Sequence, residues 1–193
     1  MKLAVTLLTF LLCVPVFGQI PAASAKYRAQ LTREAHMQGG LTAPVAMFAG
    51  QLTQESGFNP AAHSVTGAQG LAQFEPATAL WLTKVAPRDF PTANSLDPAW
   101  SIRALVFYDY WLYARLPMYV TIDQNRFAAA LSAYNGGLGY TLKDSRLGSC
   151  TVWWGCAEKV NDGRSLANLA QNRNYPFRII RLYEPRYTAA GWK

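Results

Sequence analysis

Apolar positions along this chain recur with the 3.6-residue period of helices, and the alternation expected of strands is nearly absent. "KYRAQLTREAHMQGG" sets Tyr27, Leu31 and Ala35 on one face before Gly39 and Gly40 stop it. "TAPVAMFAGQLTQES" opens with Pro44, suited to a first turn, and repeats Val45, Phe48 and Leu52. The strongest signal is "SLDPAWSIRALVFYDYWLYARL", with Asp97 as cap, Pro98 in first position and Ile102, Leu105, Leu112 and Leu116 following the turn. "TIDQNRFAAALSAYNGG" pairs Thr121 with Gln124 in capping-box spacing and ends in Asn135-Gly136-Gly137. "YPFRIIRLYEPRY" predicts a last helix that opens at Pro176. The fold is therefore expected to be mostly α, a single globular domain with any strands confined to the loop after Glu55.

Composition agrees with one domain, since 193 residues with 51% hydrophobic content bury one sizeable core. The first 25 residues stand apart. Met1 and Lys2 precede "LAVTLLTFLLCVPVFGQI" and "PAASA", the layout of a secretory signal peptide cut before Lys26, with the folded domain at 26–193. A retained membrane anchor is the rival reading, and Pro15 with the alanine-rich end weighs against it. The expected location is periplasmic or secreted.

Export changes how the cysteines read. Removal of Cys13 leaves Cys150 and Cys156 in "CTVWWGC", an even pair in an oxidising compartment, which predicts a disulfide in a segment around 141–170. Its short loop makes it worth about 2 kcal/mol. No metal or other cofactor is expected, because His36 and His63 have no ligand-spaced neighbours. The net charge of +7 draws the surface to polyanions. Its basic residues are scattered rather than blocked, which points away from nucleic acid and toward cell wall or anionic lipid.

Candidate chemistry centres on Glu55. It follows Leu52 by three residues and Phe48 by seven, so a helix carries its carboxyl onto the apolar face, near the negative end of the dipole. Desolvation and dipole both raise a carboxyl pKa, which suits a general acid; a surface glutamate on a rotated helix is the plain alternative. Glu75, before Pro76 at a helix start, is favoured in its ionised form instead. The loop after Glu55 offers Gly57, Gly67 and Gly70 for close backbone approach, with Ser64, Gln69 and Gln73 as neutral partners, a chemistry that fits a sugar. Phe127, Leu131 and Tyr134 share a helix face. Tyr134 is thus expected to point inward and orient Glu55 through its hydroxyl, or else to fill the core.

"ESGFNPAAHSVTGAQGLAQFEPATA" resembles the signature of the soluble-lytic-transglycosylase-type domain, a lysozyme-like family. "ALSAYNGG" and "LDPAWSIRALVFYDYWL" resemble two further motifs of that family in the same order, and "NRNYPFRIIRLY" shows weaker similarity. The resemblance implies an α+β lysozyme-like fold with a small loop or β region beside the catalytic helix. It also implies Glu55 as catalytic acid and base, Ser64, Gln73, Tyr134 and Asn135 as substrate-binding residues, and peptidoglycan glycan strands as substrate. Ala72, Glu75 and Ser101 depart from the family pattern, and the 141–170 segment has no counterpart in it.

The implied activity is lytic transglycosylation giving 1,6-anhydromuramyl ends. A hydrolytic muramidase, such as a phage lysis enzyme with Glu75 or Asp97 as second carboxylate, and a non-catalytic wall-binding protein are the alternatives. A monomer is expected, with a secretion or conjugation assembly as a further partner class.

Overall fold

The computed structural model describes residues 19–117 and 123–193. A 3-10 turn, Ala22–Tyr27, runs directly into α1 (Arg28–Gly39), and a second, Gly40–Thr42, turns the chain into α2 (Val45–Ser56). After a long loop come α3 (Pro76–Val85), α4 (Pro98–Ala114), α5 (Asp123–Gly136) and α6 (Leu138–Leu147). The chain closes with α7 (Leu166–Phe177), a π-helical stretch (Arg178–Tyr183) and α8 (Glu184–Ala189). Strand pairing among the described residues is limited to isolated antiparallel bridges, His63 with Gln69 and Gln69 with Phe74. The expected loop after Glu55 is where they fall.

α2 is the central helix. Every residue from Val45 to Leu52 is buried, so its first two turns have no solvent face, and full burial of Phe48 and Leu52 stabilises by about 1.5–3 kcal/mol each. It packs against α1, the π-helical stretch and α8, while α4 lies against α1 and α5, and α5 meets α6 and α7. Gly50 permits a close crossing. A Cβ there would stand 3.0 Å from the Tyr183 Cβ and 3.3 Å from the Glu184 nitrogen. α4 starts as its sequence predicts, with Asp97 accepting from the Trp100 N–H at 2.7 Å, a cap worth about 1 kcal/mol.

One element differs from the sequence reading. The last long helix begins at Leu166 under a Ser165 cap rather than at Pro176, which lies inside it. A proline mid-helix removes a hydrogen bond and crowds the preceding turn, and the change to π-helical winding just after it accommodates the ring. At the other end, Ala22–Ala25, assigned above to the leader, folds against the domain. Ser24 is buried and hydrogen-bonds the Tyr187 hydroxyl, which also meets Thr53 Oγ1 at 2.6 Å on α2. The bulk of the leader with Cys13, and the capping position Thr121, lie outside the described residues.

The 141–170 segment is tied closely to α5. Cys150 and Cys156 are joined by a disulfide, and between them Trp153 is wholly buried. Asn125 near the start of α5 accepts from the backbone N–H groups of Trp153 and Trp154 at 3.0 and 3.1 Å. The loop thus grips the helix that carries Tyr134 and Asn135.

Candidate active site

A groove of about 830 Å³ crosses the molecule, lined on one side by the 64–78 loop region and on the other by the ends of α5 and α7. Glu55 opens into it from the last turn of α2, two residues before Gly57 ends the helix in the left-handed region at φ 59°. Its residue is half-buried and its carboxyl desolvated. Burial raises the pKa from 4.5 to about 8, against the smaller lowering effect of a hydrogen bond that the Tyr175 hydroxyl donates to Oε1. The carboxyl therefore keeps its proton at neutral pH.

Tyr175 is the residue that sequence reasoning missed. It reaches Glu55 across 120 residues of sequence from α7. Its only local signal is a tyrosine before Pro176, in a segment already noted for weak similarity. Tyr134, expected to orient Glu55, instead donates to the Ala72 carbonyl at 2.7 Å. Its ring stacks on that of Tyr175, with centroids 6.3 Å apart and planes within 8°, so Tyr134 supports the residue that holds the carboxyl. Burial, then the Glu55 charge, raises the pKa of both hydroxyls well above the usual tyrosine value.

The loop side of the groove is held by its own hydrogen bonds. Ser64 Oγ accepts from the Ala68 N–H at 2.9 Å and pairs with Thr66 Oγ1 at 2.9 Å. Gln73 takes a left-handed backbone at φ 50° and donates Nε2 to the carbonyls of Gly70 and Ala62 at 2.9 and 3.1 Å. Gly70 is required there, because a Cβ would lie 1.8 Å from the Ser95 carbonyl oxygen. Between them the Ala72 peptide is fixed on both sides, its N–H on Ser101 Oγ at 3.0 Å and its carbonyl under Tyr134. Ser64, Gln73, Tyr134 and Asn135 all line the groove with Glu55. Asn135 is set by Asn172 Nδ2, which donates to its Oδ1 at 3.4 Å.

Two other acids matter to the chemistry. Glu75 lines the groove, exposed, at the start of α3. Asp97 is occupied as the α4 cap and is not part of the groove lining. A further carboxyl, Asp109 on α4, is wholly buried and accepts from Gln51 Nε2 at 3.4 Å. Burial chiefly raises its pKa well above the usual carboxylate range, against the lowering effect of the Gln51 hydrogen bond and with a smaller contribution from the Glu55 charge. Among the described residues no three His, Cys, Asp or Glu side chains converge as metal ligands.

Residues 34–148 match the family described as the transglycosylase SLT domain. A membrane-bound lytic murein transglycosylase F of Haemophilus influenzae is 33% identical over 127 residues, which cover 63% of this chain and 23% of the relative. Its namesake from Yersinia pseudotuberculosis is 34% identical over 128 residues, covering 64% and 23%. The chain thus spans about a quarter of the length of these curated relatives. Among solved structures, an inactive mutant of lytic transglycosylase Slt from Pseudomonas aeruginosa aligns with a TM-score of 0.61 at 24% identity, over 85% of this chain and 24% of that one. The 70 kDa soluble lytic transglycosylase of Escherichia coli aligns with a TM-score of 0.63 at 19% identity, over 86% and 24%. These two likenesses show the shared fold.

Proposed function

Because the chain belongs to the transglycosylase SLT domain family, we propose that it is a peptidoglycan lytic transglycosylase, cutting between N-acetylmuramic acid and N-acetylglucosamine without consuming water. The observation that carries this reading is the Glu55 carboxyl, held protonated in a sugar-sized groove by burial and contacted by Tyr175.

In this reaction Glu55 gives its proton to the glycosidic oxygen as the bond from C1 to that oxygen breaks. The resulting carboxylate then takes the proton of the muramyl C6 hydroxyl, whose oxygen closes on C1. One carboxyl serves both steps and is returned to its starting state, leaving a 1,6-anhydro end. Tyr175 favours the first step by hydrogen-bonding the carboxylate that proton donation leaves behind. Ser64, Gln73, Tyr134 and Asn135 meet the sugars as neutral partners. The ordinary glycosidase scheme needs a second carboxylate at a set separation. Glu75 is the groove acid for that hydrolytic reading, since Asp97 is occupied and Asp109 is sealed in the core.

Export belongs to the same proposal, because the substrate lies outside the cytoplasm and the N-terminal sequence has the layout of a secretory signal. Among the described residues no helix is long and apolar enough to cross a membrane.

Digestion of purified sacculi in oxygen-18 water tests the chemistry. The expected result is unlabelled anhydro-muropeptides, each lighter by one water than a hydrolytic product. Labelled reducing ends as the major product would transfer the mechanism to Glu75 and water.

A further inference from the structure

The wall of the groove opposite the 64–78 loop contains a buried guanidinium with one edge unpaired among the described residues. Asp144, wholly buried at the end of α6, accepts at Oδ2 from both Arg164 and Arg173, and at Oδ1 from the Asp162 N–H at 2.9 Å. One carboxylate thus faces two guanidiniums, and one positive charge is left over. The two arginines are used differently. Arg173 spends its donors on Asp144, on Asn172 Oδ1 and on the carbonyls of Glu158, Ala157 and Val160. Arg164 gives only Nη1 to Asp144, and its Nε and Nη2 are buried with no partner among the described residues.

Those two nitrogens form one edge of the guanidinium, the pair of parallel N–H groups that matches a carboxylate in bidentate fashion. Leaving them unpaired costs stability, which an acceptor brought by a ligand would relieve. Arg164 is also fixed in place. Asn161 bonds both its backbone N–H and its carbonyl at 2.9 Å, the Tyr140 ring lies 4.6 Å from the guanidinium carbon, and its side chain is 4% exposed. Directly after it, Ser165 caps α7, so the positive end of a 12-residue helix lies at the same place. Arg164, Ser165, Asn168 and Gln171 line the groove that holds Glu55.

We propose that Arg164 and the first turn of α7 form a carboxylate-binding site that takes an acidic group of the peptide stem carried by the muramyl residue, which makes the enzyme selective for stem-bearing strands. The anions of peptidoglycan that extend beyond the sugar backbone are those stem carboxylates, and among the described residues no other basic side chain lines the groove. This inference rests on the peptidoglycan reading above and names the part of the substrate read by the 141–170 segment, which the sequence left without a role.

The test compares stem-bearing glycan strands with the same strands after their carboxylates are converted to primary amides. Amidation is expected to raise the KM of the wild-type enzyme about ten-fold, the loss of one charge-assisted pair, with kcat little changed. Arg164→Gln should show the raised KM on both strands and no further response to amidation. It keeps the Asp144–Arg173 pair, so the buried carboxylate is not orphaned, and thermal melting checks its fold. Equal KM values for the wild-type enzyme on the two strands, a comparison that needs no variant, would overturn the site. So would Arg164→Gln responding to amidation as strongly as the wild type. Calorimetric binding of both strands to Glu55→Gln separates this proposal from the chemistry. Preference for the free carboxylates supports the site even if no anhydro ends form, whereas equal affinity removes it even if they do.

Discussion

Glu55→Gln is expected to abolish turnover and, at neutral pH, to make the protein more stable. In the unfolded chain the carboxyl ionises at its usual 4.5, while in the folded protein burial holds it to about 8. A group whose pKa is raised by folding supports the fold fully below 4.5, and that support is lost as the pH rises through about 8. Each unit of this interval costs about 1.4 kcal/mol, so the wild-type protein carries a penalty on the order of 3 kcal/mol at pH 7. A glutamine keeps the shape and the acceptor for Tyr175 without the penalty. For a chain of this size the gain corresponds to a rise in Tm of roughly 6–12 °C. The assay is thermal unfolding of both proteins at a series of pH values, with muropeptide release measured alongside. The stability difference should be near zero at acidic pH, grow from 4.5 upward and level off above about 8. A difference independent of pH, or a variant that melts below the wild type at pH 8, would show that the carboxyl is not held neutral by its surroundings.

Tyr175→Phe removes the hydrogen bond that lowers the Glu55 pKa, so the alkaline limb of the kcat/KM profile should move to higher pH, by about 1–2 units, while turnover falls on the order of ten-fold. An unmoved limb, measured by muropeptide release across the alkaline range, would take Tyr175 out of the chemistry. Replacing Cys150 and Cys156 together with serine should cost about 2 kcal/mol of stability in denaturant titration, the loop-entropy value for the short loop between residues 150 and 156. An unchanged midpoint would mean that the buried Trp153 and its Asn125 contacts hold the loop without the bond.

The helices and Glu55 were legible in the sequence because period and caps are local properties. Asp97 and Pro98 announce α4, and Phe48, Leu52 and Glu55 share a face whatever packs against it. Partners across the groove were not legible. Periodicity directs Tyr134 inward, but whether its hydroxyl meets Glu55 or the Ala72 carbonyl depends on the left-handed turn at Gln73, which only the folded loop sets. Tyr175 was hidden for a similar reason. Pro176 reads as a helix start, and its position inside α7 depends on the π-helical winding that follows. The cluster around Asp144 was equally out of reach, since Arg164 and Arg173 lie 20 and 29 residues from it and give no local pattern.

The clamp on the Ala72 peptide bears on how sequence change spreads through this groove. Both contacts are to the main chain of residue 72, from partners 29 and 62 positions away, and neither reads its side chain. Chemical identity at that position is therefore free to drift among side chains that fit the enclosed space. The geometry is inherited through Ser101 and Tyr134. A saturation library of these three positions should show tolerance governed by volume at Ala72 and by the hydroxyl at Ser101 and Tyr134. Divergent copies of the groove are then better traced through the two hydroxyl positions than through the residue they hold.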